Sequence, residues 1–334
     1  MFLDVPTWTL NPGHPHPDKH LRKIIGTVAD LVSLIMAPPS IPRIEYLRVQ
    51  NYRALHNLEL KKITPLTVFL GPNGSGKSTI FDVFAFLSEC FTLGLRKAWD
   101  KRGRFRELRT RGENGLIIIE LKYREKTKSP LITYHLAINE LNNRPLIAEE
   151  WLQWTRGKNG RPFRFLEFKE GEGKVISGEM PDANDERISE KLESNELLAV
   201  STLGQFAKHP RISALRHLMT NWCFSKNHPD NRKFQLVGIE EPENHLYPRL
   251  LSELATEYRT TATPTQLIVT THSPFFVDGL KPEEVWVFYR NAKGFTQARR
   301  TLEMQGVKNF INNGALLGQL WMENYFDVGH PYCS

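Results

Sequence analysis

The run Gly71-Pro72-Asn73-Gly74-Ser75-Gly76-Lys77-Ser78-Thr79 fits the pattern G-x-x-x-x-G-K-[ST], and its surroundings restrict what the chain can fold into. Before it, Leu66-Thr67-Val68-Phe69-Leu70 is apolar at four of five positions, as a strand covered on both faces reads. After it, Lys77 to about Phe91 carries apolar residues at helical spacing. The order is strand, glycine-rich loop, helix. Glycines let backbone N–H groups converge on phosphate oxygens without a Cβ in the way, and the helix N-terminus adds partial positive charge. Lys77 would reach the β- and γ-phosphates as a point charge, and the Ser78 hydroxyl would ligate magnesium. Gly71, Asn73, Gly74, Ser75, Gly76 and Thr79 complete the expected cradle, which makes ATP and Mg2+ the expected ligands.

A second strand–loop–helix series supports this α/β reading. Leu236 to Ile239 is a buried strand that ends in Glu240-Glu241-Pro242-Glu243. A phosphate-loop enzyme needs such a strand, with one acid for magnesium and another to orient or deprotonate the attacking water. Glu240 is assigned to the metal and Glu241 to the base. One strand later, Ile268-Val269-Thr270-Thr271 leads into His272. The carboxyl end of a neighbouring parallel strand faces the ligand, so His272 would bond the γ-phosphate or the water.

Between the two series, Leu116–Tyr123, Leu131–Ile138, Leu146–Trp154 and Phe163–Phe168 read as successive strands, an antiparallel insertion at about 115–180 in a mixed central sheet. A helical lobe follows at about 185–225. Seven of the 21 prolines fall in the first 42 residues, so 1–40 reads as a Pro-rich extension with one amphipathic helix, His20 to Met36. Its His14, His16 and His20 read as solvated. The ATPase domain is expected over 41–330.

Composition excludes several alternatives. The 334 residues are 40% hydrophobic and contain no apolar run of the roughly 18 residues that span a bilayer. The N-terminus lacks the order of a secretion signal. Cys90, Cys223 and Cys333 make neither a disulfide framework nor a CxxC metal site. A cytoplasmic location is expected. The formal charge is +7, and the segment 96–111 holds eight basic residues against two acidic ones. Arg102, Arg104, Arg106, Arg109 and Arg111 are therefore candidates for nucleic-acid contact.

The run from Ile44 to Leu87, with Asn51-Tyr52-Arg53, together with Ile239 to Pro248 and Thr270 to Pro274, resembles the ABC-type ATPases of the RecF and SMC branch. More narrowly, it is similar to the AAA-type ATPases grouped with the overcoming-lysogenization-defect proteins, without a toprim domain; Gly314 to Trp321 also fits that group. The resemblance covers about residues 41–330. It implies a P-loop NTPase with an ABC-like head that binds ATP in a head-to-head homodimer. It also implies work in DNA repair, DNA maintenance or phage defence, with DNA and a nuclease or other effector as partners and no membrane.

Two departures separate this chain from that pattern. Such heads complete each ATP site with a Ser-Gly-Gly-type signature at a helix start shortly before the acidic strand. The segment Asn221 to Lys233 has no Ser-Gly pair, and Ser177-Gly178-Glu179 and Ser201 to Gln205 lie too far upstream. No glutamine lies between Lys77 and Glu125 to approach the metal. The alternative is a nucleotide-gated scaffold that binds ATP and hydrolyses little. A transporter subunit, which would need the signature, and a nuclease within the chain are both disfavoured.

Overall fold

β3 (Leu66–Leu70) is buried at every residue because both faces of its sheet are covered. It lies inside a six-stranded sheet ordered β10 (Trp222–Cys223), β11 (Leu236–Glu240), β12 (Gln266–Thr271), β3, β13 (Val285–Arg290), β14 (Thr296–Arg300). Every pairing in this sheet is parallel except β13 with β14. The computed structural model describes residues 43–126, 129–155, 160–224, 234–244, 246–262 and 265–330. The extension 1–40, with its expected helix and histidines, lies outside them, as do residues 225–233 of the segment that lacks the signature.

Successive strand residues point to opposite faces, and that alternation sorts the sheet's side chains into two cores. Phe69, Leu236, Ile268, Trp286 and Phe288 pack with the apolar face of α1 (Lys77–Thr92). Val68, Leu70, Val237, Val269 and Val287 pack with α6 (Pro248–Thr261), α7 (Pro274–Val277), α8 (Val307–Asn312) and α9 (Leu317–Met322). Helices thus cover both faces. Among the described residues no helix is long and apolar enough to cross a membrane.

On the far side of α1 lies a second sheet, ordered β2 (Leu55–Lys61), β1 (Arg43–Tyr52), β4 (Ile117–Arg124), β5 (Ile132–Leu141), β6 (Arg144–Thr155), β7 (Pro162–Lys169), β8 (Glu172–Val175), β9 (Ile188–Lys191). All its pairings are antiparallel. Tight hairpins close it where Asn142-Asn143 and Glu170-Gly171 take positive φ, the backbone that two-residue turns between twisted strands require. The strands after residue 115 therefore form the expected antiparallel subdomain, apart from the main sheet. They extend a separate sheet that starts with β1 and β2, whose alternating burial marks strands covered on one face.

Gln266 joins the two sheets. Its Oε1 accepts the Ile44 N–H at 2.9 Å and its Nε2 donates to the Ile44 carbonyl at 2.9 Å, so one buried amide does the work of a backbone pairing. The expected helical lobe is smaller than the sequence suggests. It holds β9, which pairs with β8, and then α4 (Ala199–Leu203) and α5 (Pro210–Thr220). The basic segment folds as two short helices, α2 (Leu95–Asp100) and α3 (Arg104–Leu108).

Glu150 of β6 fixes α4. Its carboxylate accepts the Tyr134 hydroxyl at 3.0 Å and the Ala199 and Val200 N–H groups at 2.5 and 3.3 Å. Burial nevertheless pushes its carboxyl from 4.5 up to about 7, against the pull of those three donors. The folded state therefore holds this proton more tightly than the unfolded chain. Its contribution falls as pH rises from about 4.5 to about 7 and is constant above that, a change of about 3 kcal/mol. Urea unfolding of wild type and Glu150→Gln at pH 5 and 7.5 should show this slope in wild type and its loss in the variant.

Candidate nucleotide-binding site

The loop after β3 is shaped by contacts that leave no room for side chains. A Cβ on Gly71 would lie 2.3 Å from the Phe288 carbonyl oxygen, and one on Gly76 would lie 2.1 Å from Thr296 Oγ1. Gly76 also has φ +105°, a conformation that disfavours any L side chain. The β13–β14 hairpin grips the loop from outside. The Thr296 hydroxyl donates to the Ser75 carbonyl at 3.0 Å, and Arg290 Nε donates to the Gly74 carbonyl at 2.7 Å. The sequence reading missed both residues, since neither sits in a local pattern that marks a partner more than 200 residues away.

The Gly74 and Ser75 carbonyls are thereby taken up by the hairpin. The main-chain N–H groups of Gly74, Gly76, Lys77 and Ser78 find no acceptor among the described residues, and the buried Ser75 hydroxyl has no partner. Converging unpaired donors at the start of a 16-residue helix suit a phosphate chain. Asn73, Gly74 and Ser78 are exposed and Thr79 is half-buried, so this rim is open to a ligand.

Lys77 is buried, and its Nζ donates to the Gly71 and Pro72 carbonyls at 2.6 and 3.0 Å. Burial holds its ammonium below the ordinary lysine range, while the charges of Glu241 and Glu243 act in the opposite sense. The acidic end of β11 is thus within electrostatic reach of the loop lysine. Glu240 closes β11 as an exposed residue. It shares its strand face with Gly238, where a Cβ would strike Phe224 and Phe81, so Glu240 is on the α1 side of the sheet.

Glu241 leaves the strand with φ +46°, its N–H donating to the Thr270 carbonyl at 2.9 Å. That turn aims its carboxylate across the strand ends. Its Oε1 lies 3.6 Å from His272 Nδ1, and its Oε2 accepts from Asn244 Nδ2 at 3.3 Å. Glu243 approaches the same ring nitrogen, with Oε1 3.3 Å from Nδ1. The sequence reading gave Glu243 no role, yet it is the most buried of the three.

Asn51-Tyr52-Arg53 forms the wall next to α1. The Tyr52 hydroxyl donates to Asp82 Oδ2 at 2.7 Å, and Arg53 Nη1 lies 3.1 Å from the same oxygen. Arg102 joins this network, with Nε donating to Asp82 Oδ1 at 2.7 Å and Nη1 paired with Glu89. Its side chain is only 6% exposed, so Arg102 chiefly holds α1 to its neighbours, although it also reaches the wall of a cationic cleft. Arg104 is exposed and pairs with Asp100 at 3.0 Å.

The remaining basic residues converge. Arg106, Arg109 and Arg111 line a cleft of about 700 Å³ with Arg53, Arg102, Arg290 and Lys293, and with Glu107 as its one acid. Among the described residues, Arg106, Arg109, Arg111 and Lys293 have no ion-pair partner. Because Arg290 also bonds Gly74, the cleft adjoins the phosphate loop. Neither alternative signature segment begins a helix: Ser177 lies in the loop after β8, and Ser201 is inside α4.

Two family models match the chain. The "AAA ATPase domain" matches residues 43–203, and the "AAA domain, putative AbiEii toxin, Type IV TA system" matches residues 218–278. No curated protein matches significantly. Among solved structures, the chain is similar to an SMC head bound to the C-terminal winged-helix domain of ScpA, at 13% identity and TM-score 0.43 over 77% of this chain and 96% of that one. The SMC head domain from Thermotoga maritima gives 14% and 0.41 over 77% and 98%. The Pyrococcus furiosus SMC head with an extended coiled coil, bound to the C-terminal domain of ScpA, gives 9% and 0.44 over 81% and 100%. The first family match contains the phosphate loop and the second contains Glu241 and His272, so both halves of the candidate site lie in segments that match AAA-type ATPase domains.

Proposed function

We propose that this chain binds ATP with magnesium on the loop 71–79 and hydrolyses it, with Glu241 as the base. The observation that carries this reading is Lys77 itself, buried beneath unpaired amides and subject to the charges of Glu241 and Glu243. Lys77 exchanges its loop carbonyls for the β- and γ-phosphate oxygens. The amides of Gly74, Gly76, Lys77 and Ser78 hold the rest of the phosphate chain. Glu241 takes the proton of the attacking water at its carboxylate, and His272 orients that water or the γ-phosphate.

The donors also suit magnesium. Ser78 and Glu240 supply oxygen ligands of the type this hard cation prefers. The described residues contain no cluster of three His, Cys, Asp or Glu that could hold a metal alone, so phosphate oxygens and water would complete the shell. When bound, the ion neutralises charge on the phosphoryl oxygens.

The resemblance to RecF- and SMC-type ATPases supports a second copy as the partner that completes the site, with a nuclease or other effector downstream in DNA maintenance or phage defence. The cationic cleft supports nucleic acid as a further partner. Replacing Arg106, Arg109 and Arg111 together by alanine should weaken duplex binding and lower the slope of log K against log salt by roughly one per lost phosphate contact. Arg104→Ala should leave that slope unchanged. A slope unaltered by the triple variant would remove the cleft from the reading.

The second reading, a scaffold that binds ATP without turnover, is favoured by the absence of a Ser-Gly pair at either candidate helix start. Single-turnover hydrolysis with protein in excess separates the two. Product above the uncatalysed background supports the ATPase, and none supports the scaffold.

A further inference from the structure

His272 is held by a carboxylate other than the base. Glu243 Oε1 accepts the Thr271 hydroxyl at 2.8 Å and the His272 main-chain N–H at 2.9 Å, and it lies 3.3 Å from His272 Nδ1. The Thr271 hydroxyl in turn accepts the Ser273 N–H at 3.0 Å, which ties the anchor to the start of α7. Burial separates the two acids. The Glu243 side chain is 8% exposed, against 38% for Glu241 and 45% for His272. Glu241 and the imidazole are open to a ligand, whereas Glu243 is fixed behind them. Its second oxygen, Oε2, is buried without a hydrogen-bond partner, so the carboxylate acts through Oε1.

We infer that Glu243 is a positioning residue that keeps the His272 proton on Nδ1 and presents Nε2 to the reacting phosphate and water. This rests on the hydrolytic reading of the site. A neutral imidazole has one N–H and one lone pair, and the partner of one nitrogen decides the state of the other. With a carboxylate at Nδ1, that nitrogen carries the proton. Nε2 then accepts from a water, or donates to a phosphate oxygen once it is itself protonated. Glu241, more exposed and 3.6 Å from the same Nδ1, is left to take the water's proton. Proton acceptance and histidine orientation thus fall to different carboxylates.

The variants separate charge from geometry. Glutamine at 243 can keep an acceptor oxygen at the Oε1 position and place its amide nitrogen where Oε2 now has no partner, whereas alanine removes the acceptor. Long-range 1H–15N correlation spectra, with His272→Asn to identify the resonance, should show the Nδ1–H form in the wild-type protein without nucleotide. Glu243→Gln should keep that form and most of the single-turnover rate. Glu243→Ala should shift the ring to the Nε2–H form and lower the rate on the order of 10- to 100-fold, with ATP affinity within a few-fold of wild type.

An Nε2–H imidazole in the wild type, which no folding defect can confound, would overturn the inference. An unchanged tautomer in Glu243→Ala would do so as well. Because the spectrum needs no ATP, a wild-type Nδ1–H ring in a protein without turnover would instead refute the hydrolytic reading and leave the anchor standing.

Discussion

Glu241→Gln is expected to lower single-turnover hydrolysis by about 10²- to 10⁴-fold while ATP binding stays at or slightly above the wild-type level. The substitution keeps the shape of the side chain and an oxygen for Asn244, which now donates to Glu241 Oε2. What it removes is the lone pair that can take a proton from water. It also removes a negative charge that acts on Lys77, so the loop becomes slightly more attractive to a triphosphate. Backbone geometry adds no confounding strain, because glutamic acid already occupies the φ +46° turn and glutamine has the same branching. Binding kept with hydrolysis lost, by calorimetry and by acid-quench product analysis, is the expected pattern. If turnover stays within about tenfold of wild type, the base lies elsewhere.

The largest expected effect on stability belongs to Arg102→Ala, at about 3–5 kcal/mol. The guanidinium is almost fully enclosed and serves Asp82 on one side, Glu89 on the other, and the Ala98 carbonyl at 3.0 Å. Both acids project from α1, the helix that begins with Lys77. Removing the arginine leaves two partly buried carboxylates facing each other without their common counter-ion. Asp82 keeps only the Tyr52 hydroxyl and Arg53. Urea unfolding should report the loss, and Arg102→Lys should recover only part of it, since an ammonium cannot serve both carboxylates in the plane of a fork. Unchanged stability together with weakened duplex binding would return Arg102 to the nucleic-acid surface.

The legible parts of the site were local in sequence. Gly71 to Thr79 is one continuous pattern, and its strand and helix follow from apolar spacing on either side. Glu240, Glu241 and His272 each follow or end a buried apolar run, and parallel strands bring such ends to one edge. What escaped depends on pairing across the chain. Thr296 and Arg290 clamp the loop from 221 and 216 residues away, and Gln266 bonds Ile44 across 222. Nothing in the local sequence of these residues announces a distant partner.

Charge density alone does not sort the cations of 96–111. They look like one surface, but Arg102 is mostly enclosed by its two acids, Arg104 pairs with Asp100, and Arg106, Arg109 and Arg111 share with the edge of Arg102 a cleft completed by β13–β14. The antiparallel subdomain is legible from alternation, but not that β1 and β2 begin its sheet. Alternation reveals which face of a strand is buried, not which neighbour it pairs with.

The central claim is that the amides after Leu70 and the buried Lys77 ammonium together bind a triphosphate. Calorimetric titration of wild type and Lys77→Ala with ATP and magnesium tests it most directly. The account predicts one ATP per chain in the wild type and an affinity lower by about 100-fold or more in the variant, the scale of a lost charge-assisted contact. A wild-type protein that takes up no ATP, or equal affinity in the two proteins, would contradict it.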